Sequence, residues 1–158
     1  MNQLKQNRKL RWLILISIVW IMVIFSFSLQ SGEESGKLSG GIVAWFVGLF
    51  FPEDFTHIEL VHFLVRKAAH FTEYFILGVL LSLTVREAKW NRPLLKPWVM
   101  GTLVACCDET IQLFSDGRAG QIRDVMIDSS GVFTGCVILT FGLVFLSKKG
   151  EKAKQAKI

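Results

Sequence analysis

The stretch CCDETIQLFSDGRAGQIRDVMIDSSG, residues 106–131, carries Asp108, Glu109, Gln112, Asp116, Arg118, Arg123, Asp124 and Asp128. A second polar group, Arg66, Lys67, His70, Glu73 and Tyr74, stands earlier in RKAAHFTEYF. These residue types offer three kinds of chemistry. His70-x-x-Glu73 has the spacing of an acid–base pair, or of two ligands on one helix face. With Asp108, Glu109 and Asp128 it makes a set of imidazole and carboxylates that suits several divalent metals. Asp108 and Glu109 are adjacent carboxylates. Consecutive helical residues point about 100° apart, so one is expected to face a site and the other a basic partner such as Arg118 or Arg123. Arg66, Lys67, Arg118 and Arg123 are the groups that hold phosphate or carboxylate oxygens, Arg through forked contacts.

Each reading has a plainer counterpart. Charges paired between helices fix register without any reaction, and an ion pair explains Asp108-Glu109 as well as catalysis does. Pairing with Asp116 and Asp124 would account for the cations. The sequence has no His-x-x-x-His pair to add to His70 and no CxxC spacing, so no metal site is assigned. Ser129 has no basic neighbour in sequence to activate it as a nucleophile. His57 and His62 read as surface or seam residues of an amphipathic extension.

The elements that must position these groups are apolar. Of 158 residues 51% are hydrophobic, with 13 Phe and 5 Trp, and the mean hydropathy is +0.43. A soluble domain of this size would need an unusually large core, whereas a small polytopic membrane protein is ordinarily built this way. Residues 10–29 carry no charge from Trp12 onward. The run is longer than a signal-peptide core and is followed by no small-residue cleavage pattern, so it reads as a retained membrane anchor. Residues 30–41, QSGEESGKLSGG, read as a surface loop. Residues 42–51 are apolar but reach only about 15 Å as a helix, which suits an interfacial or re-entrant segment. A second span is expected from about Ala68 to Val85, with a helical extension before it. The third is expected over residues 97–114 and the fourth over 124–146, with a glycine-rich turn at 115–123 between them.

The predicted fold is therefore all-α, with four transmembrane helices and a short interfacial or re-entrant helix on the outer side. Residues 1–147 form one transmembrane domain, followed by a basic, disordered tail over 148–158. Cys106, Cys107 and Cys136 all fall in apolar segments and read as buried free thiols. Trp12, Trp45, Trp90 and Trp98 mark membrane interfaces.

Charge placement sets the orientation. Lys5, Arg8, Lys9 and Arg11 precede the first span, Arg86, Lys89, Arg92 and Lys96 lie between the second and third, and Lys148, Lys149, Lys152, Lys154 and Lys157 follow the fourth. On the opposite side are only Lys37, Arg66, Lys67, Arg118 and Arg123. The positive-inside rule then puts both termini in the cytoplasm. The net charge of +5 is topological and gives no reason to expect nucleic acid as a partner.

In that topology the chemical groups meet. Arg66, His70 and Glu73 share a helix face at the outer end of span two. Asp108 and Gln112 are four apart near the end of span three. Asp124 and Asp128 open span four, and Gly131 and Gly135 continue their stripe, where small residues let helices approach closely. A charge in hydrocarbon costs at least a few kcal/mol, so these groups should face one another or a wet cavity near the outer leaflet.

RKAAHFTEYFILG (66–78), DETIQLF (108–114) and GRAGQIRDVMIDSSGVFTG (117–135) resemble the three signature blocks of the VanZ-like family, and FSFSLQSGEES (25–35) is similar to that family's segment after its first span. The resemblance covers roughly residues 10–145. It implies a small integral protein of the bacterial cell membrane, whose namesake is associated with low-level resistance to the glycopeptide teicoplanin. It maps Arg66, Lys67, His70, Glu73, Tyr74, Asp108, Glu109, Gln112, Arg118, Arg123, Asp124 and Asp128 onto motif positions. It implies no defined biochemical activity. The leading expectation is the binding or handling of an anionic envelope lipid or a lipid-linked cell-wall precursor at the outer leaflet. Arg66, Lys67, Tyr74, Gln112, Arg118, Arg123 and Asp124 would bind it, and His70, Glu73, Asp108, Glu109 and Asp128 would act on it or organise it. The alternatives are an intramembrane hydrolase or transferase using His70 and a carboxylate as acid and base, and a structural or regulatory membrane subunit.

Overall fold

The structure, a computed structural model, describes residues 2–50 and 58–155. His57 and the end of the predicted interfacial segment, residue 51, lie outside the described residues. Five helices follow one another: α1 (Asn2–Ser28), α2 (Gly32–Phe50), α3 (Ile58–Glu87), α4 (Leu95–Gln112) and α5 (Ile122–Gln155). Among the described residues there is no strand.

Three stretches are long and apolar enough to cross a membrane: Gln3–Ser28, Ile58–Glu87 and Ile122–Lys149. They correspond to the first, second and fourth spans expected from sequence. The expected third span is α4, 18 residues long. It reaches about 27 Å and carries Lys96, Asp108 and Glu109, so its composition alone does not single it out.

Two local expectations are corrected. Residues 32–41 are not a loop but the first half of α2. The Ser31 hydroxyl accepts a hydrogen bond from the Glu34 N–H at 3.2 Å, and the Glu34 carboxylate accepts one from the Ser31 N–H at 3.0 Å. This reciprocal capping box starts a helix through a segment whose Gly and Ser content argues against one. At the other end, α5 continues through Gln155, so residues 148–155 are helical and not disordered. Lys, Glu, Ala and Gln are all good helix formers, and an existing helix needs no new nucleus to run on into them. Residues 156–158 lie outside the described residues.

α1 and α3 run antiparallel. The Gln6 amide donates to the Glu87 carbonyl and Lys9 pairs with the Glu87 carboxylate at one end, while the Trp20 indole donates to the Glu73 carbonyl further along. Arg86 also donates to the Thr140 hydroxyl at 2.7 Å. The N-terminal segment, the α3–α4 connection and the later part of α5 therefore share one end of the bundle. The α3–α5 pair is the most extensive packing in the molecule, and glycines make it close. A Cβ on Gly131 would meet the Phe71 carbonyl oxygen at 2.6 Å, and one on Gly135 or Gly78 would collide with the backbone of Phe75 or Val132. The small-residue stripe expected on α5 is thus its contact with α3.

The molecule is apolar outside. Ile14, Ile18 and Met22 on α1, Leu103 on α4, and Phe133, Phe141 and Phe145 on α5 are exposed. Inside, Ile24, Tyr74, Leu77, Leu81, Ala105, Val132 and Cys136 form a thin core. Cys136 is buried as expected, but Cys106 and Cys107 are exposed on α4. The buried face of α4 runs through Gly101, Ala105, Asp108, Glu109 and Gln112, and the 100° step per residue turns Cys106 and Cys107 away from it.

Candidate functional site

At the end of the bundle opposite the paired Lys9 and Glu87, five parts of the chain meet beside the start of α2. α1 supplies Ser28, α3 supplies Arg66 to Tyr74, α4 supplies Asp108 to Gln112, the 113–121 connection supplies Ser115, Arg118 and Gln121, and α5 supplies Asp124 and Asp128. The polar groups form an outer pocket and an inner cluster.

The outer pocket has a volume of about 560 Å³ and is lined by Ser35, His62, Phe63, Arg66, Lys67, Arg118, Gln121 and Asp124 among others. Lys67 donates to Asp124 at 2.5 Å and sits 5.3 Å over the Phe63 ring. Arg66 and Arg118 make no ion pair among the described residues, and the Arg118 Nε is buried without a hydrogen-bond partner. Burial pushes the Arg118 pKa below its usual value, and the neighbouring Arg66 charge works in the same direction against Asp108, Glu109 and Glu73. Two uncommitted guanidinium groups at one pocket lower each other's stability, and an anion between them would relieve that. Arg123 is exposed outside this lining, with its guanidinium 5.5 Å from the centre of the same Phe63 ring.

Neither Asp108 nor Glu109 makes the expected ion pair with Arg118 or Arg123 among the described residues, and Glu109 bonds to neutral groups. One oxygen accepts the Gln121 backbone N–H at 2.8 Å and the other accepts the Gln112 amide at 3.0 Å. Its carboxylate ties the 113–121 connection to α4. Gly117, at φ +70°, lets that connection turn, and its neighbour Asp116 accepts the Gly32 N–H at 2.9 Å. The start of α2 is thereby fixed at the pocket.

The inner cluster lies beneath. Tyr74, Asp108 and Asp128 have no exposed surface, and Gln112 has 1%. The Gln112 amide nitrogen also reaches Asp108 at 3.3 Å and the Ser28 hydroxyl at 3.4 Å. The Tyr74 hydroxyl faces Asp108. His70 Nδ1 stands 3.8 Å from Asp128 Oδ1, beyond hydrogen-bond reach. One donor atom each from His70, Asp108 and Asp128 lie within 4.8 Å of one another. The Glu73 side chain is half-buried and within electrostatic range of Asp108 and Arg118.

Of the residues singled out by sequence, all but Arg123 line the pocket, join the cluster or tie the two together. Three contributors were not singled out. Ser28 is a hydroxyl at the end of an apolar run, visible only within FSFSLQSGEES. Ser115 donates to the Ser28 carbonyl at 2.9 Å, and Gln121 acts through its backbone, which no side-chain pattern signals.

A family model described as VanZ/LLP1 matches residues 13–145. The chain belongs to the VanZ/LLP1 family. The matched region begins in α1, ends in α5 and encloses every residue of the pocket and the cluster. With its exposed apolar helices this chain is a membrane protein of the VanZ/LLP1 family. No curated protein and no solved structure matches the chain.

Proposed function

We propose that this VanZ/LLP1 protein binds the anionic head group of an envelope lipid or a lipid-linked cell-wall precursor at the outer leaflet. The observation that carries the reading is the pocket in which Arg66 and Arg118 stand beside Lys67 without ion-pair partners among the described residues. A phosphate between two forked guanidinium groups gains charge-assisted hydrogen bonds that neither arginine makes among the described residues. Phe63 supplies an apolar wall along which the first part of an acyl or prenyl chain can lie.

The reading places four helices across the membrane, with α4 as the third crossing and both termini in the cytoplasm. Supporting α4 as a crossing, Asp108 and Glu109 are turned inward, which removes two of its charges from the lipid face. Supporting the orientation, the Lys/Arg-rich segments collect at the end where Lys9 meets Glu87. The pocket then opens on the outer side, where a glycopeptide acts on wall precursors. Binding such a precursor is the form in which a role in teicoplanin resistance fits this site.

The experiment is native mass spectrometry of gently extracted protein. An anionic lipid should remain on the wild-type chain, and Arg66→Lys and Arg118→Lys should each reduce it about tenfold, because a forked contact is lost while charge is kept. Equal retention in both folded variants would end the head-group reading. A second reading, an intramembrane hydrolase or transferase, is favoured by the position of His70 and Asp128 beneath the same pocket. It predicts turnover of a phosphorylated lipid, and a loss on the order of a hundredfold in His70→Gln.

A further inference from the structure

We propose that His70, Asp108 and Asp128 form a binding site for one divalent transition-metal ion, with the Tyr74 hydroxyl at its edge. The site stands independently of the head-group reading, since no residue of the basic pocket supplies a ligand.

The first ground is convergence. Three different helices, α3, α4 and α5, each contribute one donor, and the donor atoms lie within 4.8 Å of one another. Ligands held at roughly 2.1 Å from one ion sit about 3 Å apart when adjacent and about 4.2 Å apart when opposite. Small side-chain rotations therefore bring the three onto a single ion.

The second ground is what the donors lack. Asp108 and Asp128 have no exposed surface. Among the described residues His70 Nδ1 and both Asp128 oxygens have no hydrogen-bond partner, while the Tyr74 hydroxyl turns to Asp108. Buried polar atoms are almost always satisfied, and three unpartnered atoms in one cluster call for a shared partner. A hydroxyl or a lysine cannot reach all of them at once, whereas a cation at their centre can.

The third ground is charge. Lys67 is committed to Asp124, and among the described residues neither Arg66 nor Arg118 makes an ion pair with Asp108 or Asp128. One divalent ion with two carboxylates and a neutral imidazole gives a neutral unit, the form least costly to hold among membrane helices. One imidazole and two carboxylates suit Zn²⁺ or Mn²⁺ better than a soft cation or a large Ca²⁺. Three protein ligands also leave positions open for water or for a ligand's oxygen.

The test uses the full chain, stripped with a chelator in mild detergent and then given Zn²⁺ or Mn²⁺ alone. Wild type should bind one ion per chain, seen by native mass and elemental analysis, and its Tm should rise with ion concentration. Asp128→Asn should lose the ion, and His70→Gln should weaken it at least tenfold. Should Asp128→Asn fail to fold, His70→Gln decides, at a side chain that keeps 13% of its surface exposed. Arg66→Lys should keep the ion whatever it does to lipid, so undiminished lipid retention in that variant counts against the head-group reading and leaves this one standing. A wild-type chain that takes up neither ion overturns the site. So does equal binding by folded Asp128→Asn or His70→Gln. In either case the carboxylates are neutralised by protons instead.

Discussion

A single amide, that of Gln112, reaches Ser28, Asp108 and Glu109. Among the described residues it is the one donor that touches both acidic residues of α4 and the end of α1, so it holds two negative groups in place near each other. Gln112→Leu keeps the size and removes the donor. Two buried carboxylates then lose a partner, and the expected cost is about 1–3 kcal/mol, read as a lower thermal midpoint in detergent. Ser28→Ala removes only an acceptor at 3.4 Å and should cost much less. At this scale the charged and imidazole members of the site were legible, because their four-residue spacing puts them on shared faces. Ser28 and Gln121 were not. A hydroxyl at the end of an apolar helix looks like many others, and a backbone N–H carries no sequence signal at all.

The inner cluster exists only if α3 and α5 stay close, and glycines on both helices allow that. Gly131→Leu forces a side chain against the Phe71 carbonyl and the Tyr74 Cβ. Separating or straining the pair should cost about 1–3 kcal/mol and open the cluster, seen as faster amide exchange around residues 70–78. Gly142, on the same helix, has nothing within 4 Å of its Cβ position. Gly142→Leu should therefore leave the thermal midpoint unchanged or slightly higher, since Gly is a poor helix former. α2 offers a separate check. Ser31→Ala removes half of the capping box and should cost about 1 kcal/mol locally, visible as increased amide exchange at residues 33–35 with the remaining helices unaffected. The S-x-x-E signal for this helix was present in the sequence, but the Gly and Ser residues around it spoke for a loop. Capping decides where a helix starts, and here it outweighed composition.

The whole molecule has the polarity of a membrane protein, with phenylalanines and isoleucines outside and carboxylates inside. Its orientation is testable by labelling. In the proposed topology an engineered cysteine replacing Gly117 reacts with an impermeant thiol reagent from outside, and one replacing Asn91 does not. The exposed Cys106 and Cys107 should first be changed to serine. The reverse pattern would place the basic pocket in the cytoplasm and remove the outer-leaflet ligand from consideration.

The sequence by itself determined the class of this protein. Apolar run lengths and the order of four motif blocks specify membrane helices and the family, because crossing hydrocarbon demands long helices whatever their neighbours do. The convergence of the polar residues near one end was likewise readable, since antiparallel helices return their ends to the same level. Tertiary structure decided the division of labour among them. Which of two adjacent carboxylates ties down a loop and which meets His70 depends on helix rotation, and that is set by where Gly131 and Gly135 let α5 settle on α3. Residues 70, 108 and 128 become neighbours only through that packing, because side-chain contact between helices is a property of their faces and not of their spacing along the chain.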